Sequence, residues 1–330
     1  MKPKLSIVIP MYNVEKYIEK CLNSIFQLKM DSSHYEIIII DDESPDSSLT
    51  LAKKATHNHE NVTIISQKNK GLGGARNTGI GACSGIFILF LDADDYVSSS
   101  TLIDVVNFAI DKDVDVLEFA ANRVNSVYSY IDTIFEIDSK SVVSGNDYIE
   151  RFDFGNSACN KLYKRNFLLQ NKIVFIEKTY VEDAPFNIEV FTKAQKVYAI
   201  PEVLVAFFQN SDSITRTKRT GTVLNKYIFD AYKVTVIMNN LISKSIVSAH
   251  AKNILLKKIS FFTSGLLLMV LKSNKSFKQK KEILNDLISV DLYPIKVKTN
   301  VLIRDFFILM VNHKIILTFF LYMTSFKINK

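Results

Sequence analysis

Cysteine is scarce in this 330-residue chain, and its three copies, Cys21, Cys83 and Cys159, lie far apart in the sequence. No CxxC pair occurs, so the usual patterns of a zinc site and of a disulfide framework are both missing. This spacing favours a protein of a reducing compartment.

Glycine is also rare, and six of its ten copies fall between residues 71 and 85, in GLGGARNTGIGACSG. A dinucleotide-binding GxGxxG beginning at Gly71 would need glycine at position 76, where Arg76 stands, and no GxxxxGK[ST] occurs. Two interpretations therefore stay open. The segment is a flexible loop plus a small-residue helix packed closely on a sheet, or a loop whose backbone and Arg76 approach a diphosphate, and the two are compatible with each other.

Long apolar runs are missing as well. The N-terminal LSIVIP is too short for a signal peptide and predicts a buried strand. Residues 261–271 are about half as long as a spanning helix needs. A span over 306–323 would place three polar residues at its centre, Asn312, His313 and Lys314. We therefore expect amphipathic helices that pack or lie on a surface.

Acidic residues are scarce in the last third of the chain. Residues 216–330 contain 20 basic and 5 acidic residues, a balance of +15, whereas residues 1–215 contain 21 and 29, a balance of −8. The chain thus combines an acidic body with a basic tail region, which indicates that the two parts meet different partners.

Four short apolar runs in the first hundred residues predict buried strands, because they are rich in β-branched or aromatic residues. They cover residues 5–10, 36–40, 62–66 and 86–91. Helical patterns lie between them, near 14–28, 46–57 and 72–82. The alternation predicts a parallel sheet with right-handed crossovers and helices on both faces. Polar clusters follow the first, second and fourth runs, at the edge where such sheets bind ligands.

The pattern is mixed from about 100 to 215 and helical from about 222 onward. The sequence predicts a helix near 100–111, a strand in VDVLEFA and an extended stretch over 122–143. Two further helices are expected, near 145–152 and 183–195.

Three carboxylates, Asp92, Asp94 and Asp95, directly follow the fourth run in LFLDADD. Carboxylate oxygens are preferred ligands of hard divalent cations, which keep open positions for phosphate. The cluster therefore predicts Mg²⁺ or Mn²⁺ carrying a nucleotide diphosphate. A solvated acidic turn is the alternative for this motif taken alone.

The ordered series VIPMYN, IIDDESPDSS, NKGLGGARNTGI, LFLDADD, NKLYKR and VEDAPF resembles the family 2 glycosyltransferases, which build polysaccharides from nucleotide-sugars. The resemblance covers residues 4 to about 215. It implies an α/β fold of GT-A (Rossmann-like) type, with a mostly parallel central sheet and helices on both faces, made of a nucleotide-sugar-binding half at 1–100 and an acceptor-binding half at 101–215. The resemblance does not extend to the C-terminal third, where the residue pattern itself predicts a basic, amphipathic helical subdomain at 216–330.

The resemblance implies donor-binding roles at the strand ends. The carbonyl of Pro10 would accept a hydrogen bond from the base edge, Tyr12 would stack on the base, and Asp42 would read the uracil imide N–H. Asp92 would touch the ribose hydroxyls, and Asp94 would ligate the metal. Further residues that the resemblance places at the donor are Asn13, Arg76, Asn77, Lys161 and Arg216.

Three of these assignments leave alternatives open. Asp95 would be either a second metal ligand or a turn anchor. Lys161 would be a site cation or a solvated charge. Arg216, in SDSITR, would belong to a mobile segment that closes over the diphosphate, or would be an ordinary exposed arginine.

The motif VEDAPF matches the catalytic-base motif of the family and implies inverting transfer. Asp183 would accept the proton of the acceptor hydroxyl, with Glu182 as its neighbour. Taken alone, an aspartate in the first turn of a helix is also favoured by the helix dipole.

These features together predict transfer of a sugar from a UDP-sugar to a carbohydrate acceptor, lipid-linked or free, in cell-surface polysaccharide synthesis, with Mn²⁺ or Mg²⁺. A catalytically weak scaffold subunit and a nucleotidyltransferase are the alternatives. The basic helical tail indicates an anionic membrane surface rather than nucleic acid, and hence a cytoplasmic protein at the inner face of the membrane. Pairing with a second copy through the C-terminal helices is the other interpretation of that region.

Overall fold

The computed structural model describes residues 2–28, 30–125, 127–152, 154–209 and 220–325. The chain divides into two compact units. The first comprises residues 1–178 and 182–217, and the second comprises residues 179–181 and 218–330.

The first unit is built on one mixed sheet whose strand order is β3-β2-β1-β4-β8-β6-β9-β5, with β7 paired to β6. Strands β1 to β4 run parallel, β8 is antiparallel to both of its neighbours, and β9 is parallel to β6. The strands are β1 Leu5–Met11, β2 Tyr35–Asp41, β3 Val62–Ser66, β4 Phe87–Phe90, β5 Tyr96–Val97, β6 Val116–Val124, β7 Tyr130–Ile134, β8 Lys161–Lys164 and β9 Val197–Phe208.

Helices connect these strands in the first unit and make up the second. Those of the first unit are α1 Ile18–Phe26, α2 Ser48–Thr56, α3 Gly71–Ala82, α4 Leu102–Asp111, α5 Gly145–Arg151, α6 Arg165–Gln170 and α7 Asp183–Lys193, with a 3₁₀ turn at Ser32–His34. Those of the second are α8 Gly221–Lys244, α9 Ala249–Lys272, α10 Phe277–Ser289, α11 Leu302–Asn312 and α12 Lys314–Ser325.

Both faces of the parallel half of the sheet are covered, because successive side chains of a strand point to opposite faces. Ile7 and Ile9 of β1 share one core with Leu22 of α1. Val8 faces the other way, where α3 approaches so closely that a Cβ at Gly79 would collide with the Val8 side chain. The close packing of a small-residue helix on the sheet is thus confirmed.

The predicted fold class is confirmed, and the four predicted parallel strands lie at their expected places. Beyond β4 the sheet is mixed, since β8 enters antiparallel between β4 and β6. The sequence patterns do not predict strand β8, because it has only four residues, KLYK, and two of them are lysines. Strand β9 was missed although it is largely apolar, because Pro201 and Glu202 interrupt its pattern.

The second unit is helical, as expected. Its helices α9 and α10 begin at serine caps, Ser248 and Ser276, whose hydroxyls accept backbone N–H groups. Helix α9 begins twelve residues before the apolar run at 261 and is longer than the sequence suggested. By length and composition it is the one described helix able to cross a membrane, and half of its most apolar window is buried in the protein. Helices α11 and α12 pass the same test only as a pair, bent by 95°.

Candidate active site

Asp42 lies where the first two strands end together. Met11 and Asp41 are register partners at the ends of β1 and β2, and the Asp42 N–H donates to the Met11 carbonyl at 2.9 Å. The buried Asp42 carboxylate accepts at Oδ1 from Gln67 Nε2 (2.7 Å) and from the Lys70 N–H (2.8 Å). No described residue donates a hydrogen bond to Oδ2.

Gln67 is a site residue that the sequence patterns missed. Its Oε1 accepts from the Thr78 hydroxyl at 2.6 Å, and this contact orients Nε2 toward Asp42. Gln67 directly follows β3, at the same sheet edge as Asp42. That position was the signal that could have identified it.

The residues after β1 have contrasting surroundings. Pro10 lies inside β1 opposite Ile40, one residue before the strand ends. Tyr12 is 50% exposed, and the exposed Asn13 has a left-handed backbone with φ of 56°. The Tyr12 ring is therefore accessible at the edge that holds Asp42.

The carboxylates after β4 form a turn in which the Asp95 N–H donates to the Asp92 carbonyl at 2.9 Å. Asp95 is buried, and its Oδ1 accepts the Phe208 N–H at 2.8 Å, which ties the turn to β9. Burial, together with Asp94 and Asp92, raises the pKa of Asp95 well above its ordinary value. Asp94 makes no ion pair with any described residue, and burial and the neighbouring Asp92 raise its pKa to about 6.

Arg76 of α3 joins this turn to the start of α7. The guanidinium is almost completely buried. Its Nη1 lies 2.8 Å from Glu182 Oε1 and 2.5 Å from Asp183 Oδ1, and its Nη2 lies 2.8 Å from Asp92 Oδ1. Cys159 Sγ lies 3.7 Å from Nη2. Burial opposes the charged form, but Asp183 and Asp92 outweigh it and raise the pKa of Arg76, which therefore stays positive among three carboxylates.

The two carboxylates at the start of α7 differ in exposure. The Glu182 side chain is 7% exposed, whereas that of Asp183 is 23% exposed. Burial and the charge of Asp183 raise the pKa of Glu182 to about 7. Burial also raises the pKa of Asp183, but Arg76 and the Ala158 N–H, which donates to Oδ2 at 3.1 Å, act in the opposite direction. The net effect is a raised pKa at both positions, and Asp183 is the more accessible of the two carboxylates.

Of three further residues that the resemblance places at the donor, two are bonded to other groups of the protein and one lies outside the described residues. The Asn77 amide bonds both backbone groups of Phe175, at 2.9 and 2.8 Å. Lys161 is fully buried and its Nζ lies 3.0 Å from Glu118 Oε1. This burial excludes the solvated charge, which was one of the two alternatives for Lys161. It also means that the ammonium group has no exposed surface with which to contact a donor. Arg216 and its segment lie outside the described residues.

The described ranges contain no group of three or more His, Cys, Asp or Glu residues arranged to hold a metal ion. The three predicted ligands are adjacent but differ in their partners. Asp92 Oδ1 pairs with Arg76 and Asp95 Oδ1 accepts the Phe208 N–H, whereas Asp94 makes no ion pair with a described residue.

Comparison with known proteins identifies the relatives of this chain. The sequence profile described as Glycosyl transferase family 2 matches residues 6–169. The chain is 31% identical over 223 residues to the uncharacterized glycosyltransferase EpsJ of Bacillus subtilis, covering 65% of this chain and 64% of that protein. It is 34% identical over 206 residues to the poly(ribitol-phosphate) beta-glucosyltransferase of Bacillus spizizenii, covering 59% of this chain and 30% of that protein.

A solved structure shares the fold. The crystal structure of S. aureus TarS 1-349 in complex with UDP superposes with a TM-score of 0.68 at 21% identity, covering 98% of this chain and 88% of that one. The two sequence relatives above are matched over 64% and 30% of their own lengths.

Proposed function

Because the chain belongs to glycosyltransferase family 2, we propose that it transfers a sugar from a UDP-sugar to a carbohydrate acceptor in cell-surface polysaccharide synthesis, with inversion at the anomeric carbon. The observation that carries this proposal is the ion-pair network of Arg76, which brings Asp92 from the sheet edge and Asp183 from α7 into one site. An acceptor hydroxyl would attack the anomeric carbon in line while UDP leaves from the opposite face.

Asp183 is the proposed general base. A base must remain ionised and must approach the acceptor oxygen to within about 3 Å. Arg76 on Oδ1 and the Ala158 N–H on Oδ2 both favour the carboxylate, and the side chain is partly exposed. Glu182 is less exposed and is the proposed neighbour rather than the base.

The donor base would lie between Tyr12 and Asp42. The Oδ2 atom of Asp42 accepts no hydrogen bond from the described residues and would take the imide N–H of uracil, while Gln67 and Lys70 hold Oδ1 in place. Tyr12 would stack on the base, with the Pro10 carbonyl and Asn13 beside it. Asp92 would reach the ribose hydroxyls, and Arg216 would act on the diphosphate.

The residues after β4 fit a divalent cation held together with the donor diphosphate. Mg²⁺ is commonly bound by one or two carboxylates plus substrate phosphates, and Asp94 presents such a carboxylate without a competing cation. Asp92 is the second candidate ligand, whereas the bond from Asp95 to Phe208 favours its role as turn anchor. When bound, Mn²⁺ or Mg²⁺ would offset charge on the leaving phosphates.

We also propose that the second unit associates with an anionic membrane. Residues 220–325 contain 15 basic and 5 acidic residues. Several large apolar side chains of α11 and α12 are more than half exposed: Leu302, Ile303, Phe306, Leu309, Ile315 and Phe319. An anionic leaflet attracts such a surface, with each basic residue contributing about 1 kcal/mol, whereas two positively charged copies repel each other. The protein would then be a peripheral protein of the cytoplasmic face, acting on a lipid-linked acceptor.

The experiment that tests the activity is transfer or hydrolysis across a panel of nucleotide-sugars, with Mn²⁺ and with excess EDTA. Turnover of UDP-sugars that requires the metal supports the proposal, and full activity in EDTA overturns the metal assignment. A nucleotidyltransferase would instead release pyrophosphate from UTP and a sugar phosphate. A scaffold subunit would bind UDP-sugar without turning it over.

A further inference from the structure

Glu118 of β6 and Lys161 of β8 form a buried ion pair with no exposed side-chain surface on either residue. They are direct register partners in the antiparallel β6–β8 pair. Glu118 also accepts from the Tyr148 hydroxyl at 2.6 Å and from the Asn160 amide at 3.2 Å. Removing two charges from water costs free energy that their mutual attraction does not always recover, so a buried ion pair is weak evidence for stabilisation of the fold. What the pair contributes therefore depends on the other groups that it holds in place.

Those contacts converge on the backbone of residues 155–157. Lys161 Nζ donates to the Gly155 carbonyl at 3.0 Å and to the Ser157 carbonyl at 2.8 Å. Glu118 Oε1 accepts the Gly155 N–H at 3.1 Å. Asn187 of α7 donates to the carbonyl of the intervening Asn156 at 2.6 Å. Three consecutive residues are therefore held by three buried side chains.

The next residue is Ala158, whose buried N–H donates to Asp183 Oδ2. The segment also passes so close to Phe135 that any side chain at Gly155 would collide with its ring. Because the segment is bonded at each preceding residue, the Ala158 N–H has little freedom to turn away from the carboxylate.

We propose that Glu118, Lys161 and Asn187 are positioning residues for Asp183, which act by holding the Ala158 N–H on its carboxylate. This inference rests on the proposed role of Asp183 as base. The bond to Ala158 fixes the orientation of the carboxylate and favours its ionised form. Other ionisable groups that act on Asp183 are Arg76, Asp92, Glu182, Cys159, Tyr163 and Lys161 itself.

The test is the double variant Glu118→Gln/Lys161→Met, which removes both charges together and leaves neither buried alone. The amide exchange of a peptide covering residues 155–160 is measured by mass spectrometry, and the pH dependence of kcat/KM is measured with the best nucleotide-sugar. We expect at least about tenfold faster exchange and an acidic limb displaced upward by about one pH unit, as for one lost hydrogen bond to a carboxylate. The KM for the donor should not change.

The matched control is Lys164→Met on the same strand. Lys164 pairs with Asp113 at the surface, so its loss should alter neither exchange of 155–160 nor the pH profile. If the double variant fails to fold, Asn187→Ala removes the uncharged contact to Asn156 and should shift both readouts in the same direction, by less.

Unchanged exchange of 155–160, or an acidic limb that stays in place, would overturn the positioning role. A wild-type protein without any transferase activity would overturn the proposed function instead. In that case the exchange measurement would still decide whether these side chains hold the Ala158 amide.

Discussion

The Nη1 atom of Arg76 lies 2.5 Å from Oδ1 of Asp183, within a guanidinium that is almost completely buried. The same guanidinium holds Asp92 through Nη2. The proposed base and a proposed donor contact therefore share one cation, so a change in the charge of either carboxylate alters the electrostatic environment of the other.

Replacing Asp183 by asparagine should lower turnover by at least about 10²-fold, the lower range for loss of a general base. The change removes the proton acceptor with almost no change in volume. UDP binding measured by calorimetry should change far less than turnover, because the proposed base contacts Asp42 and Tyr12 are untouched and only the electrostatic environment of Asp92 is altered.

The matched control is Asp104→Asn, an exposed aspartate in the first turn of α4. It loses the same favourable interaction with a helix N-terminus but lies outside the site. If Asp183→Asn keeps near-normal turnover and intact UDP binding, Asp183 is not the general base and another group must accept the proton.

Replacing Asp42 by asparagine should weaken UDP binding by about 10- to 100-fold, the range for loss of a hydrogen bond to a charged acceptor. The binding of GDP, which lacks the uracil imide, should change far less. Calorimetry with UDP and GDP measures both effects, and Asp111→Asn at the end of α4 is a control for the lost charge. If UDP and GDP weaken equally in the Asp42 variant, Asp42 does not read the base.

The stability of the metal-free protein should fall as pH rises from about 5 through 7, in part because of Glu182. Its pKa is about 7 in the folded protein and 4.5 ordinarily. Between these values the folded state holds a proton that the unfolded state has lost, so raising the pH favours unfolding. This contribution should be on the order of 2 kcal/mol.

Urea unfolding at a series of pH values measures this contribution as the difference between wild type and Glu182→Gln. The variant cannot ionise at this position and should lose less stability over the same pH interval. Glu189→Gln, on the same helix but paired with Lys193 near the surface, should retain the wild-type slope. Parallel curves for wild type and Glu182→Gln would contradict the shifted pKa.

Replacing Phe306 by aspartate should abolish flotation of the protein with liposomes that contain anionic lipid. Phe306 is 63% exposed on α11, and the substitution places a charge where an apolar side chain would insert. Wild-type binding should be lost above roughly 0.5 M salt, because the Debye length becomes short.

Ile246→Asp is the matched control, since Ile246 is fully exposed in the connection between α8 and α9, outside α11 and α12, and the charge change is the same. Neutral liposomes should bind neither wild type nor variants strongly. If the protein is a soluble dimer that binds neither kind of liposome, the membrane proposal is wrong and the exposed apolar side chains of α11 and α12 pair with a second copy instead.

Local sequence was sufficient for the parallel half of the sheet. Short runs of β-branched residues such as EIIII predict a buried strand, since burial on both faces of a parallel sheet requires apolar residues at nearly every position. The chain order of strands and helices then places Asp42 and Asp94 at one edge. The motif VEDAPF, from which Asp183 is proposed as the base, can likewise be recognised in the sequence because its residues are contiguous.

Only the tertiary structure decided the partners of the buried charges. The resemblance implies a place for Arg76 in the nucleotide pocket, but only the structure shows its partners, which are carboxylates 16 and more than 100 residues away in sequence. The sequence around Lys161 is compatible with a site cation or a solvated charge, but the β6–β8 register places it opposite Glu118, 43 positions earlier. The physical reason is that strand pairing and desolvation determine whether a charge is buried and which partner it meets, and neither is specified by the residues that flank it in the chain.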